Sequence, residues 1–154
     1  RELSDGRRAR SQLRLGSRTM GLGLLQHYTI EPVDLEATKD FYVGVLGLEN
    51  GDRPPLGFPG YWLYSGGVPT VHLLGPREPR PGARVRPAGV KMDNTGRLDH
   101  IAFEAKGFEG MRQRLRDKGV TFRENIVPRT GAAQLFLFDP DGVGVELNFE
   151  SPTA

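Results

Sequence analysis

The chain repeats itself. The stretch LLQHYTIE around His27 has a counterpart in RLDHIAFEA around His100, and PTVHLLGP around His72 has one in VGVELNFE around Glu146. His27 and His100 lie 73 residues apart, and His72 and Glu146 lie 74 apart. These three histidines are the only ones in the chain. A duplicated unit that carries a metal-type ligand near each of its two ends predicts a divalent-metal site at the centre of a duplicated, β-rich domain.

Residue alternation gives the four groups a common direction. His72 lies between Val71 and Leu73, Glu146 between Val145 and Leu147, and His27 and His100 are followed by Tyr28 and Ile101. In a strand, successive side chains leave opposite faces, so the apolar neighbours go under the helices and the four ligands to the other side. A curved sheet with its helices outside is expected to bring His27, His72, His100 and Glu146 together in its concave face. A glutamate buried there requires a partner or a metal.

The order of elements repeats with the ligands. The first half predicts a strand over 23–31, a helix over 35–46 capped by Asp34 and ended by Gly47, and strands over 48–53, 60–65 and 68–74. The second half predicts a strand over 98–105, a helix over 108–118, and strands over 120–127, 134–138 and 143–149. The DPDG sequence at 139–142 forms a turn between the last two. The expected architecture is α+β: two βαβββ modules, 23–75 and 97–150, forming a curved mixed sheet or open barrel with helices outside. Residues 76–96, rich in Pro, Gly and Arg, form the linker, either a solvated connection or a flap that carries positive charge to an anionic substrate. Residues 1–22 are expected to be a disordered leader and 151–154 a tail.

Composition narrows the chemistry. The chain has no cysteine, so disulfides and thiolate ligands are excluded and imidazole and carboxylate remain. Three imidazoles and one carboxylate suit Fe, Zn, Mn, Co or Ni, whereas an oxygen-seeking ion such as Ca does not fit. The pI of about 9.2 points superficially to nucleic acid. Residues 1–19, however, hold six arginines against Glu2 and Asp5 and contribute +4 to a net charge of +2, so the rest of the chain is −2. The domain itself is slightly acidic, and no nucleic-acid partner is expected. No apolar run approaches the ~20 residues of a membrane span. The expectation is a cytoplasmic protein with no membrane partner.

The order βαβββ–βαβββ, the phrase DLEATKDFYVGVLGLE after a histidine strand, and the closing FDPDGVGVELNF resemble the vicinal oxygen chelate superfamily. That group includes glyoxalase I, methylmalonyl-CoA epimerase, extradiol dioxygenases, and fosfomycin- and bleomycin-resistance proteins. The resemblance spans about 24–150. It implies metal ligands on the first and last strands of each half, at positions 27, 72, 100 and 146. It also implies a small substrate that chelates the ion through adjacent oxygens, and a homodimer, with the module pair closed within one chain or exchanged between two. His72 stands where glyoxalase I usually presents a glutamate, so the two-base symmetry of that enzyme is absent. His27, His100 and Glu146 match the two-histidine, one-glutamate set of extradiol dioxygenases, but the final strand region lacks their usual tyrosine.

The leading expectation is therefore a metal-dependent lyase or isomerase of the glyoxalase type, in which Glu146 or His72 moves the proton. An Fe(II)-dependent dioxygenase and a non-catalytic drug- or metabolite-binding protein are the alternatives. Trp62, Tyr64 and Phe136 are candidates for the pocket wall. Gln134, Asn148 and Thr29 are candidates for hydrogen bonding a substrate oxygen, and Arg123 or Arg129 for holding an anion.

Overall fold

A computed structural model describes residues 22–79, 81–82, 89–91 and 95–150. The expected leader up to residue 21, parts of the expected linker and the expected tail from 151 lie outside the described residues. Two βαβββ modules follow one another. The first contains β1 (Tyr28–Ile30), α1 (Leu35–Asp40), β2 (Glu49–Gly51), β3 (Gly60–Ser65) and β4 (Val68–Leu74); the second contains β5 (His100–Ala105), α2 (Phe108–Asp117), β6 (Phe122–Ile126), β7 (Ala133–Phe138) and β8 (Gly144–Phe149). Each module builds a four-stranded mixed sheet with the same topology, β1-β4-β3-β2 and β5-β8-β7-β6, and neither closes into a barrel. In both sheets the first strand runs parallel to the last and the remaining pairs are antiparallel.

Local chemistry explains the connections. Gly66 and Gly67 both take positive φ, at 58° and 80°, which the tight β3–β4 hairpin requires. Asp34 caps α1 by accepting a hydrogen bond from Ala37 N at 3.0 Å. The 3.6-residue period predicted one helix through Leu46, but α1 stops at Asp40 and the chain continues as a π-helical turn, Phe41–Val45, with Leu46 N bonded to Phe41 O. A π turn winds more loosely and rotates the following side chains relative to an α-helix. Tyr42 is thereby fully buried.

The helix-side faces of both sheets form one core. Ile30, Leu63, Val71 and Leu73 of the first module and Leu135, Leu137, Val145 and Leu147 of the second belong to a single buried cluster with Tyr42 and Leu115. Tyr28 and Phe103, on the first strands of the two modules, approach within 6.3 Å across this core. Burying such side chains contributes roughly 1.5–3 kcal/mol each.

The DPDG turn fastens the modules as well as reversing the chain. Asp139 Oδ1 accepts from the N–H groups of Asp141 and Val143, both at 2.8 Å, and its Oδ2 accepts from Tyr42 Oη at 2.9 Å. Asp141 accepts from Val33 N at 2.8 Å and Thr38 Oγ1 at 2.5 Å, both in the first module. Arg114 of α2 donates to Gly44 O at 3.0 Å. The modules are thus joined through their helix sides, which leaves the opposite sheet faces outside the core: Thr29, Ala102, Glu104 and Asn148 are exposed, and Phe138 is 70% exposed.

Candidate metal centre

Strand register places the four predicted ligands on these outer faces. Thr29, His72, Trp62 and Gly51 form one rung of the first sheet. Ala102, Glu146, Phe136 and Arg123 form the equivalent rung of the second. His27 and His100 each sit two residues before the first member of their rung. The duplication is therefore structural: His27 corresponds to His100, and His72 to Glu146.

In the first module the imidazoles of His27 and His72 stack with centroids 3.9 Å apart, and Trp62 stacks on the other side of His72 at 4.3 Å. Desolvation lowers the His72 pKa below its usual value, and the proximity of His27 and Arg53 adds to this. In the second module His100 Nε2 meets Glu146 Oε2 at 2.8 Å, and Gln134 Nε2 donates to Glu146 Oε1 at 2.7 Å. Asn125 Nδ2 in turn donates to Gln134 Oε1 at 2.7 Å. Glu146 is only 7% exposed, and both of its oxygens are partnered. The hydrogen bond to Asp99 raises His100 above the ordinary imidazole value, and Glu146 reinforces the shift.

Each imidazole has one nitrogen held by a neighbouring oxygen. His27 Nδ1 faces Gln26 Oε1 at 3.0 Å, His72 Nε2 faces the Pro69 carbonyl at 3.0 Å, and His100 Nδ1 faces Asp99 Oδ2 at 2.7 Å. An oxygen acceptor fixes the proton on the nitrogen it faces and leaves the other lone pair as the donor. That donor is Nε2 in His27 and Nδ1 in His72; in His100 both nitrogens meet a carboxylate, Nδ1 that of Asp99 and Nε2 that of Glu146 at 2.8 Å. In chemical character the set fits a divalent ion of the Zn or Fe type.

The four residues come together as two pairs. Among the described residues no group of three imidazole or carboxylate side chains stands close enough to hold a metal. The sequence-based expectation that all four converge within one sheet did not allow for two sheets joined through their helix sides.

The remaining candidates divide. Trp62 and Phe136 line the ligand faces, Phe136 meeting His100 edge-on at 5.8 Å. Gln134 touches Glu146 directly. The Tyr64 ring lies over Gly51, a member of the His72 rung, where an added Cβ would fall 2.5 Å from it, and its hydroxyl donates to Asp52 O at 2.8 Å. Asn148, with Ala102 and Glu104, borders a pocket of about 390 Å³ beside β5 and β8. Arg129 sits with a φ of 72° in the loop before β7, and Arg123 lies over the Phe136 ring at 4.3 Å. Asp99 and Asn125 escaped the sequence reading. Asp99 directly precedes a predicted ligand and was the available signal; Asn125 has none without the register.

The sequence profile of the Glyoxalase/Bleomycin resistance protein/Dioxygenase superfamily matches residues 24–147. The chain belongs to this superfamily. Solved structures of similar shape include proteins of different kinds. A lactoylglutathione lyase from Agrobacterium tumefaciens is 20% identical, with a TM-score of 0.59 over 84% of this chain and 96% of its own. The fosfomycin resistance protein FosX from Listeria monocytogenes is 18% identical, with a TM-score of 0.62 over 86% and 97%. TnmS3, an antibiotic binding protein from Streptomyces sp. CB03234, is 20% identical, with a TM-score of 0.58 over 86% and 99%. At these identities the likeness carries the superfamily fold alone. No functionally curated protein matches the sequence. Superfamily members are often enzymes and commonly use divalent metals, and some only bind their ligands. No helix among the described residues is long and apolar enough to cross a membrane.

Proposed function

We propose that this superfamily member is a divalent-metal enzyme whose centre is completed by two copies of the chain, His27 and His72 of one facing His100 and Glu146 of the other. The observation that carries this is the pairing of these side chains on sheet faces outside the core formed by the described residues, each imidazole already held by an oxygen at its second nitrogen. Outer hydrogen bonds of this kind orient metal-binding histidines. A ligand pair left on an open face calls for a second pair, and a two-fold dimer supplies both combinations at once.

The ion, when bound, stabilises negative charge developing on two adjacent substrate oxygens. Proton movement falls to Glu146. It is the only carboxylate on its rung, and it is oriented by His100 and Gln134. Its carboxylate takes a proton from the carbon beside the chelated carbonyl and returns it to the neighbouring carbon, which is isomerase or lyase chemistry of the glyoxalase type. His72 serves as a ligand, with Trp62 bracing its ring. The triple stack of His27, His72 and Trp62 also favours a second function, sequestration of a flat ligand without turnover.

Elemental analysis of the purified protein, followed by assay on the hemithioacetal of an α-oxoaldehyde, tests the proposal. Bound Zn, Ni, Co, Mn or Fe that is lost in His100→Ala, together with turnover lost in Glu146→Gln, supports the enzyme. A metal-free protein that binds flat aromatic ligands supports sequestration instead.

A further inference from the structure

Two arginines on the ligand faces have no carboxylate partner among the described residues. Arg123 of β6 is in register with Phe136, and Phe136 with Glu146, so all three side chains leave the sheet on the same side. Its guanidinium lies over the Phe136 ring at 4.3 Å, and that ring meets His100. The arginines on the other face differ. Arg112 pairs with Glu109 and Glu124, and Arg116 with Glu124. Glu104 shares the ligand face but stands on β5, at the sheet edge opposite β6.

Arg53 occupies a comparable place in the first module. Gly60 and Trp62 share a face of β3, and a Cβ added at Gly60 would fall 3.0 Å from Arg53 Nη2. The guanidinium thus fills the space above this glycine, on the side of His72. Its Nη1 donates to Phe58 O at 3.1 Å, and the Phe58 ring lies 4.9 Å away. Nε and Nη2 are buried with no hydrogen-bond partner. Those two atoms form the edge of the guanidinium that grips a carboxylate or phosphate through parallel bonds. Buried donors on a charged group are costly when unmet, and an oxyanion would meet them.

We infer that the substrate is itself an anion, carrying a carboxylate or a comparable oxyanion besides its vicinal oxygens, and that Arg53 of one copy and Arg123 of the other hold that group. This rests on the metal centre proposed above and adds the substrate class. Neither arginine touches the four metal-type ligands, so the metal and the anion have separate anchors.

Two probes separate the two ideas: catechol, which offers vicinal oxygens alone, and 3,4-dihydroxybenzoate, which adds one carboxylate. Titration calorimetry on zinc-loaded protein is expected to show the acid binding about tenfold tighter than catechol, the scale of one charge-assisted pair. Arg123→Gln and Arg53→Gln should each erase most of that ratio while leaving catechol affinity within about threefold. Arg123→Lys should keep part of it. Arg123 is exposed, so its variants remain informative even if Arg53→Gln fails to fold. Equal binding of the two probes, or a ratio that neither substitution changes, overturns the anion inference and leaves the metal centre standing. If neither probe binds, chelation of the substrate through vicinal oxygens falls, and the inference falls with it.

Discussion

Tyr42 of the first module donates a hydrogen bond to the buried Asp139 carboxylate of the second at 2.9 Å, and Tyr28 donates to Tyr42 at 3.2 Å. This short relay crosses the seam between the modules. It accompanies the single shared core and holds the two ligand pairs on outer faces, where a second copy can reach them.

Removing the carboxylate should loosen that seam. Asp139→Ala strands the Tyr42 hydroxyl and the N–H groups of Asp141 and Val143, for a loss of about 3 kcal/mol in denaturant unfolding. Asp139→Asn keeps an acceptor for the two N–H groups and should fold far better.

The same pair predicts a pH effect. Burial raises the Asp139 carboxyl above its ordinary value of 3.8, outweighing its hydrogen bonds. The native state then holds this proton more tightly than the unfolded chain does. The group's contribution to stability is therefore greatest at low pH and is lost as pH rises through the raised value. The stability of Asp139→Asn relative to the parent should climb across that window and level off above it. A difference independent of pH would contradict the assignment.

Much of this was legible in the sequence. The two modules, and the sheet faces that carry His27, His72, His100 and Glu146, followed from a two-residue period beside paired histidines. The π turn at Phe41–Val45 was not, because one extra residue per turn leaves the same apolar residues available to an α-helical stripe. Alternation identifies two faces of a strand but does not say which face of one module meets the other, so the separation of the ligand pairs was hidden. Asp139 and Asp141 were visible only as turn formers. Their second use, as acceptors for Tyr42, Val33 and Thr38, depends on contacts roughly a hundred residues away in sequence.

Gln134 should govern the second ligand pair without binding metal. Gln134→Leu removes the donor that orients Glu146 Oε1, and metal affinity should fall roughly 10- to 100-fold, as measured by competition with a chromogenic chelator. Unchanged affinity would show that His100 alone sets the carboxylate.

Trp62 offers an optical report on the first pair. It is the only tryptophan in the chain and stacks on His72. Addition of Co(II) should quench its emission in the parent protein and far less in His72→Ala. Equal quenching in both would remove His72 from the metal centre.

The claim that two copies build each centre is tested most directly by mixing two crippled chains. One carries His27→Ala and His72→Ala, the other His100→Ala and Glu146→Ala. Each alone should bind no zinc at the centre. After co-refolding, the mixed dimer should regain one intact centre, about a quarter of the parent zinc content for random pairing. No recovery of zinc in a mixture shown to contain mixed dimers would contradict the shared centre.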